Sequence, residues 1–251
     1  MTTITSCASA PDVHPGWRWR ERECSWFAAT LAFASVLFSV WPELDLRIAG
    51  WFYQPAGDFA GEHWGWVLLI YESVPWLGRA VALIALVISL VWWRGPGCLG
   101  VRWWRRWQVL GLSLLLGLLL LVHGVAKENW GRARPHAVAE FGGSATFTPA
   151  LRPARECRTN CSFVSGHAGT GFMLAAVGLL GSAATRRRWL LIGALAGSVI
   201  GLARIAQGGH FASDVLFSGL MIWGCNLALR AAWLRVRLWR LRRARGLVAG
   251  R

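Results

Sequence analysis

Residues 107–127 read WQVLGLSLLLGLLLLVHGVAK: an apolar run over 107–125 that ends on Lys127, the single lysine of the chain. At 1.5 Å per helical residue, a run of about 18–20 residues crosses the ~30 Å hydrocarbon core of a bilayer. Five more such runs are read at 26–42, 74–93, 166–184, 189–206 and 211–233, with 64–73 as an interfacial lead-in to the second. Composition points the same way, with 55% hydrophobic residues and 18 Trp, and a mean hydropathy of +0.41. The expected fold is therefore all-α: a polytopic membrane protein with six transmembrane helices. Residues 1–25 would form a cytoplasmic N-terminal segment, 26–233 the six-helix domain and 234–251 a basic cytoplasmic tail. The stretch WRWRERE at 17–23 precedes the first apolar run, which is not the basic start of a cleaved signal peptide. The first span is expected to be retained.

A net charge of +15 invites a nucleic-acid reading, and its placement argues against one. Arginines cluster at 18, 20 and 22, at 94, 102, 105 and 106, at 186–188, and at eight positions from Arg230 onward. Six spans put all of these on one side. The positive-inside rule makes that side the cytoplasm, with both termini there, and anionic lipid accounts for much of the charge. Trp17, Trp19, Trp92, Trp93, Trp103 and Trp104 beside these clusters suit an aromatic belt at the interface. Segments 43–63, 126–165 and 205–210 then fall on the outer, periplasmic face. Gly193, Gly197 and Gly201, four apart, read as a packing face for a neighbouring helix.

The outer segments carry most of the chemistry. Lys127 is followed by Arg134-Pro135, where proline disfavours helix for the arginine before it. Ser165-Gly166-His167 opens the fourth apolar run, where free N–H groups of a helix start suit an anion; an ordinary Ser165 N-cap is the alternative. Arg204 closes the fifth run, and its planar fork of donors suits phosphate oxygens; snorkelling to the interface is the other reading. His210 and Asp214 share a helix face at i, i+4, so the carboxylate can fix the imidazole tautomer, or else cap the helix start. Together these groups point to phosphoryl chemistry on a lipid.

Lys127 to Pro135 as K-x6-RP, Ser165-Gly166-His167, and Arg204 to Asp214 as R-x5-H-x3-D resemble the three signature motifs of the type 2 phosphatidic acid phosphatase superfamily. The resemblance covers about 107–233. It implies a metal-independent lipid phosphatase without a cofactor, set in the bacterial inner membrane with its active site on the periplasmic face. His210 would be the nucleophile of a phosphohistidine intermediate, Asp214 its orienting partner and His167 the general acid. Lys127, Arg134, Ser165, Gly166 and Arg204 would hold the phosphoryl oxygens. The family commonly has Pro before the Ser-Gly-His and Ser before the motif arginine; Val164 and Ala203 stand there in this chain, which bears on turn geometry and substrate preference.

The substrate would be an anionic lipid phosphate. The stretch CRTNCSFVSGHAG and its basic loop look somewhat like lipid A phosphatases of this superfamily. Undecaprenyl diphosphate, phosphatidylglycerol phosphate, a lipid phosphotransferase and a non-catalytic lipid transporter are the other readings. No nucleic acid and no obligate protein partner is inferred. Cys157 and Cys161 would sit in an oxidising periplasm, where a disulfide would brace the loop, against two free thiols; Cys7, Cys24, Cys98 and Cys225 are expected to be unpaired. Arg132 reads as joining Lys127 and Arg134 or as simply solvated, Arg152, Arg155 and Arg158 as solvated or recruiting a substrate with several acidic groups, and His123 and His136 as incidental, with His136 near enough to contact substrate.

Overall fold

The computed structural model describes residues 15–94 and 100–249. Cys7, Cys98, His14 and the start of the expected N-terminal segment lie outside the described residues. Among those described no strand forms, and only two isolated bridges occur, Tyr53 to Phe59 and Val138 to Ala145.

The helices are α1 (Pro15–Val40), α2 (Glu43–Gly50), α3 (Gly65–Arg94), α4 (Val101–Leu112), α5 (Gly166–Phe172), α6 (Ala183–Ala206) and α7 (Ala212–Ala249). α4 continues directly into a more widely wound π-helical stretch, Ser113–Lys127. Among the described residues five helical stretches are long and apolar enough to cross a membrane: Arg22–Val40, Gly65–Trp93, Trp103–Lys127, Ala183–Ala206 and Ala212–Ala244. Leu69, Leu77, Leu83, Leu191 and Leu195 stand exposed on these helices, as apolar side chains do when lipid is the solvent.

Three boundaries differ from the expected ones. Residues 65–73 are no separate lead-in, because α3 is one helix from Gly65 to Arg94 with Pro75 inside it. The expected tail from 234 is helical too, as α7 continues to Ala249. The run 166–184 becomes α5 plus a 3-10 turn, Met173–Gly178, and Ser182 already caps α6. At 1.5 Å and 2.0 Å per residue these two pieces rise about 22 Å, short of the ~30 Å core.

The cause of that compact segment is its neighbour. A Cβ on Gly197 would lie 2.5 Å from the Phe172 ring, one on Gly193 2.8 Å from Ala175 N, and one on Gly201 2.2 Å from Val215. The glycine face of α6 thus lets the α5 backbone and α7 approach too closely for any side chain between them. Phe38, Leu114, Leu118, Val122, Phe163, Met173, Phe217 and Ile222 form the main buried core around this junction. At the other end of the bundle Glu23 of α1 pairs with Arg230 of α7 at 3.0 Å and Arg186 of α6 at 3.6 Å.

Candidate functional site

His210 sits in the reversal between α6 and α7. α6 ends at Ala206 and the chain turns through Gly208, whose φ of +61° is a left-handed conformation that favours glycine. Gly209 follows, packed so closely on Arg204 that a Cβ would come 2.3 Å from the guanidinium. The chain is thereby forced to deliver His210 beside Arg204. The imidazole is 1% exposed, and its Nδ1 lies 2.7 Å from the Ser162 carbonyl oxygen. A carbonyl only accepts, so Nδ1 carries the hydrogen and a neutral ring leaves the Nε2 lone pair free.

Burial drives the ring to that neutral form, pushing its pKa down to about 3, while Asp214 pulls the other way. The unfolded chain binds a proton near 6.5 that the folded chain refuses, so stability is full above pH 6.5 and falls as pH drops toward 3. The slope is at most about 1.4 kcal/mol per pH unit. His210→Gln should therefore flatten the fall in melting temperature between pH 7 and 5 in detergent. Equal slopes for variant and wild type would contradict the buried neutral imidazole.

Asp214 stands 3.8 Å from His210 Nδ1, beyond hydrogen-bond reach. Its Oδ2 accepts from Ser162 Oγ at 2.5 Å and from Phe211 N at 2.8 Å. The second contact is half of a capping box at the start of α7, so the helix-capping reading of this residue is realised. Ser162, held by Asp214 through its side chain, presents the carbonyl that His210 uses. The carboxylate thus acts on the imidazole through a backbone group.

Behind Asp214 lies a buried charge cluster. Arg132, 0% exposed, donates from Nη1 to Asp214 at 2.6 Å and Ser213 Oγ at 2.9 Å, from Nη2 to Asp45 at 2.8 Å, and from Nε to the Thr148 carbonyl at 2.8 Å. Its guanidinium also lies 4.3 Å from the Phe211 ring centre. Asp45 in α2 accepts from Ser213 N at 2.9 Å and from the Ser213 hydroxyl. Burial raises the Asp45 carboxyl above its usual range, with Arg132 opposing. Arg132 is a structural link between α2, the long loop and α7, and the solvated reading of it is overturned.

A cavity of about 480 Å³ lies between α3 and the Ser113–Lys127 stretch, and Lys127, His123, Gly166 and His167 all line it. Lys127 is 6% exposed. Gly166 has no room for a side chain, since a Cβ would meet His123 Nε2 at 2.6 Å. Ser165 caps α5 through a long contact from Ala168 N, 3.4 Å, which realises its N-cap reading as well. Arg204, 5% exposed, spends one donor on Gln207, while its buried Nε–H has no partner among the described residues. Tyr71 joins two of these groups: its ring stacks on His167 at 5.3 Å and lies 4.6 Å from the Arg204 guanidinium carbon. The Tyr71 carbonyl lies 3.3 Å from His167 Nε2.

Arg134 sits at the rim, with Nε and Nη2 on the Asn160 carbonyl at 3.2 and 2.8 Å, and burial lowers its pKa. Asn160 belongs to the turn that the Cys157–Cys161 disulfide closes, with Cα atoms 5.6 Å apart. Cys24 and Cys225 carry free thiols. Among the described residues no three His, Cys, Asp or Glu side chains gather as a metal site. Asp45, Ser162 and Tyr71 were not singled out from sequence, and His123, a polar ring in an apolar run, was noted there without a role.

The PAP2 superfamily model matches residues 108–240. A lipid A 4'-phosphatase of Francisella tularensis subsp. novicida (strain U112) is 33% identical over 198 residues, 76% of this chain and 86% of that protein. A lipid A 4'-phosphatase of Rhizobium leguminosarum is 39% identical over 122 residues, 47% of this chain and 52% of its own length. One from Rhizobium etli is 39% identical over 121 residues, 47% of each chain. No solved structure matches.

Proposed function

We propose that this chain, which belongs to the PAP2 superfamily, is an integral-membrane lipid phosphatase that removes phosphate from a lipid of the lipid A class through a phosphohistidine on His210. The observation that carries this is a buried neutral imidazole with a free Nε2, in the same reversal as Arg204, whose buried Nε–H lacks a partner among the described residues. An unpaired buried donor costs free energy, and a phosphoryl oxygen would satisfy it.

In the proposed sequence Nε2 of His210 attacks phosphorus and the bond to the lipid oxygen breaks. The bound phosphate dianion draws a second proton onto His167, so Nε2–H stays on the Tyr71 carbonyl while the Nδ1 proton passes to the departing oxygen. Water, losing its proton to the same His167, then cleaves the phosphorus–nitrogen bond and inorganic phosphate leaves. Lys127, Arg134, Arg204, Ser165 and the Gly166 N–H offset the charge on the three phosphoryl oxygens. Asp214 positions His210 by holding Ser162. The disulfide turn bearing Asn160 supports Arg134.

The site would face the periplasm from the inner membrane, with six crossings, α5 and its 3-10 extension being the short fourth. Both termini would be cytoplasmic, because the arginine clusters then share one side. The lipid A assignment rests on the names of the relatives. Its test is phosphate release by the purified protein from lipid A, undecaprenyl diphosphate and phosphatidylglycerol phosphate, with mass spectrometry of the lipid products. Release from lipid A is the expected result, and turnover of only the other two would overturn the assignment.

Lys127→Arg should lower turnover about tenfold or more despite keeping the charge. Lys127 is enclosed beside His123, and a planar fork does not fill the space of a compact ammonium. Full activity of this variant, read as kcat/KM, would mean that only the charge is used.

A further inference from the structure

Arg79 lies midway along the Gly65–Trp93 span of α3, where Glu72 is the only other charged residue. A cation at that depth is costly and marks a binding path unless it simply reaches for water. Among the described residues Arg79 makes no ion pair, and its guanidinium carbon rests 4.7 Å from the Trp76 ring. Trp76 is one turn toward the helix N-terminus, the end that carries Tyr71 and the phosphoryl site. The side chain therefore points back toward the chemistry, as helical side chains do. Arg79 also lines the same cavity as Lys127 and His167. The rest of that cavity is largely apolar, with Val74, Ala82, Leu114 and Leu118 on its walls.

Depth fixes what Arg79 would meet. A Cβ on Gly78 would lie 3.8 Å from Thr170 Cγ2, so the two residues are neighbours, and the Thr170 hydroxyl donates back to the Gly166 carbonyl at 3.2 Å. Arg79 thus stands about one helical turn, ~5 Å, inward of the Gly166-His167 level. In an acylated lipid phosphate the group a few bonds inward of the phosphate is the ester or amide carbonyl joining head to chains. A carbonyl oxygen accepts from a guanidinium, and an apolar surround strengthens that bond.

Resting on the phosphatase reading above, we infer that the cavity between α3 and the Ser113–Lys127 stretch receives the body of the lipid from the bilayer side, and that Arg79 binds an acyl-linkage carbonyl. Arg79 is then a specificity residue for acylated lipids, separate from the groups that hold the phosphate.

The test uses two non-hydrolysable phosphonates, a diacylglycerol form and its diether counterpart without carbonyls, with binding to the detergent-purified full chain read by native mass spectrometry. Wild type should prefer the diacyl form by about tenfold, the scale of one hydrogen bond to a charged group. Arg79→Leu should lose that preference by weakening diacyl binding alone, and Arg79→Lys should restore part of it. The diether ligand reports whether the variant is folded. Equal weakening of both ligands, or unchanged diacyl binding, overturns the inference. Wild-type protein that shows the diacyl preference yet releases no phosphate from p-nitrophenyl phosphate or lipid A would sink the phosphatase reading and leave this one standing.

Discussion

His210→Ala is expected to abolish phosphate release, by roughly a thousandfold or more, from lipid and soluble phosphate monoesters alike. The reason is local and specific. Nδ1 of this ring is committed to the Ser162 carbonyl, so Nε2 is the one nitrogen free to bond phosphorus. No neighbouring group can replace it, because Lys127 and Arg204 are cations and Asp214 is engaged by Arg132 and Ser162. His167→Ala separates the second role from the first. It should slow the phosphorylation step strongly for lipid and far less for p-nitrophenyl phosphate, read as the pre-steady-state burst of released product, since nitrophenolate departs without a proton. Quenching with alkaline detergent during turnover should trap a base-stable, acid-labile phosphoprotein in wild type and none in His210→Ala. Full turnover by His210→Ala would end the phosphohistidine mechanism.

What was legible from sequence follows the range of the interaction. Helix length and apolar runs are local, so the four ends of α1, α3, α6 and α7 that open on the outer segments or the α3–α4 connection were readable to within two residues, while the starts of α1, α3 and α6 and the end of α7 extend the helices past the apolar runs. The run 166–184 misled because apolar composition cannot report that α6 presents glycines to Phe172, which draws α5 in close and ends it early. Lys127, Ser165, Arg204 and His210 stood out because each is polar at the edge of an apolar run. Arg132 did not, since a basic residue two positions before Arg134 looks like solvated loop. Its burial is decided by Asp45, 87 positions earlier, and Asp214, 82 positions later. The i, i+4 spacing of His210 and Asp214 correctly brought them close, at 3.8 Å, but not on one helix face, because His210 stands in the reversal before α7 begins at Ala212. Spacing alone could not show that a Ser162 carbonyl would take the bond between them.

Arg132→Met is expected to cost the most stability of any single change in this region. The guanidinium serves Asp45, Asp214, Ser213 and the Thr148 carbonyl at once, from a position with no solvent access. Removing it leaves two buried carboxylates uncompensated, a loss of about 3–5 kcal/mol, against a typical total of about 5–15 kcal/mol. Lysine does not rescue this, because a point charge on a flexible stem cannot replace a rigid fork with acceptors on three sides. Asp45→Asn should be milder by contrast: its amide oxygen can still accept from Ser213 and Arg132, and burial already disfavours the Asp45 charge. The expected order of melting temperatures in detergent, followed by tryptophan fluorescence, is wild type, Asp45→Asn, Arg132→Lys, then Arg132→Met. An Arg132→Met protein that melts with wild type would show that the cluster holds neither α2 nor the His210 turn. If the cluster does hold them, even the milder Asp45→Asn should lower kcat more than it raises KM, because Asp45 reaches the reacting imidazole only through Arg132, Asp214 and Ser162.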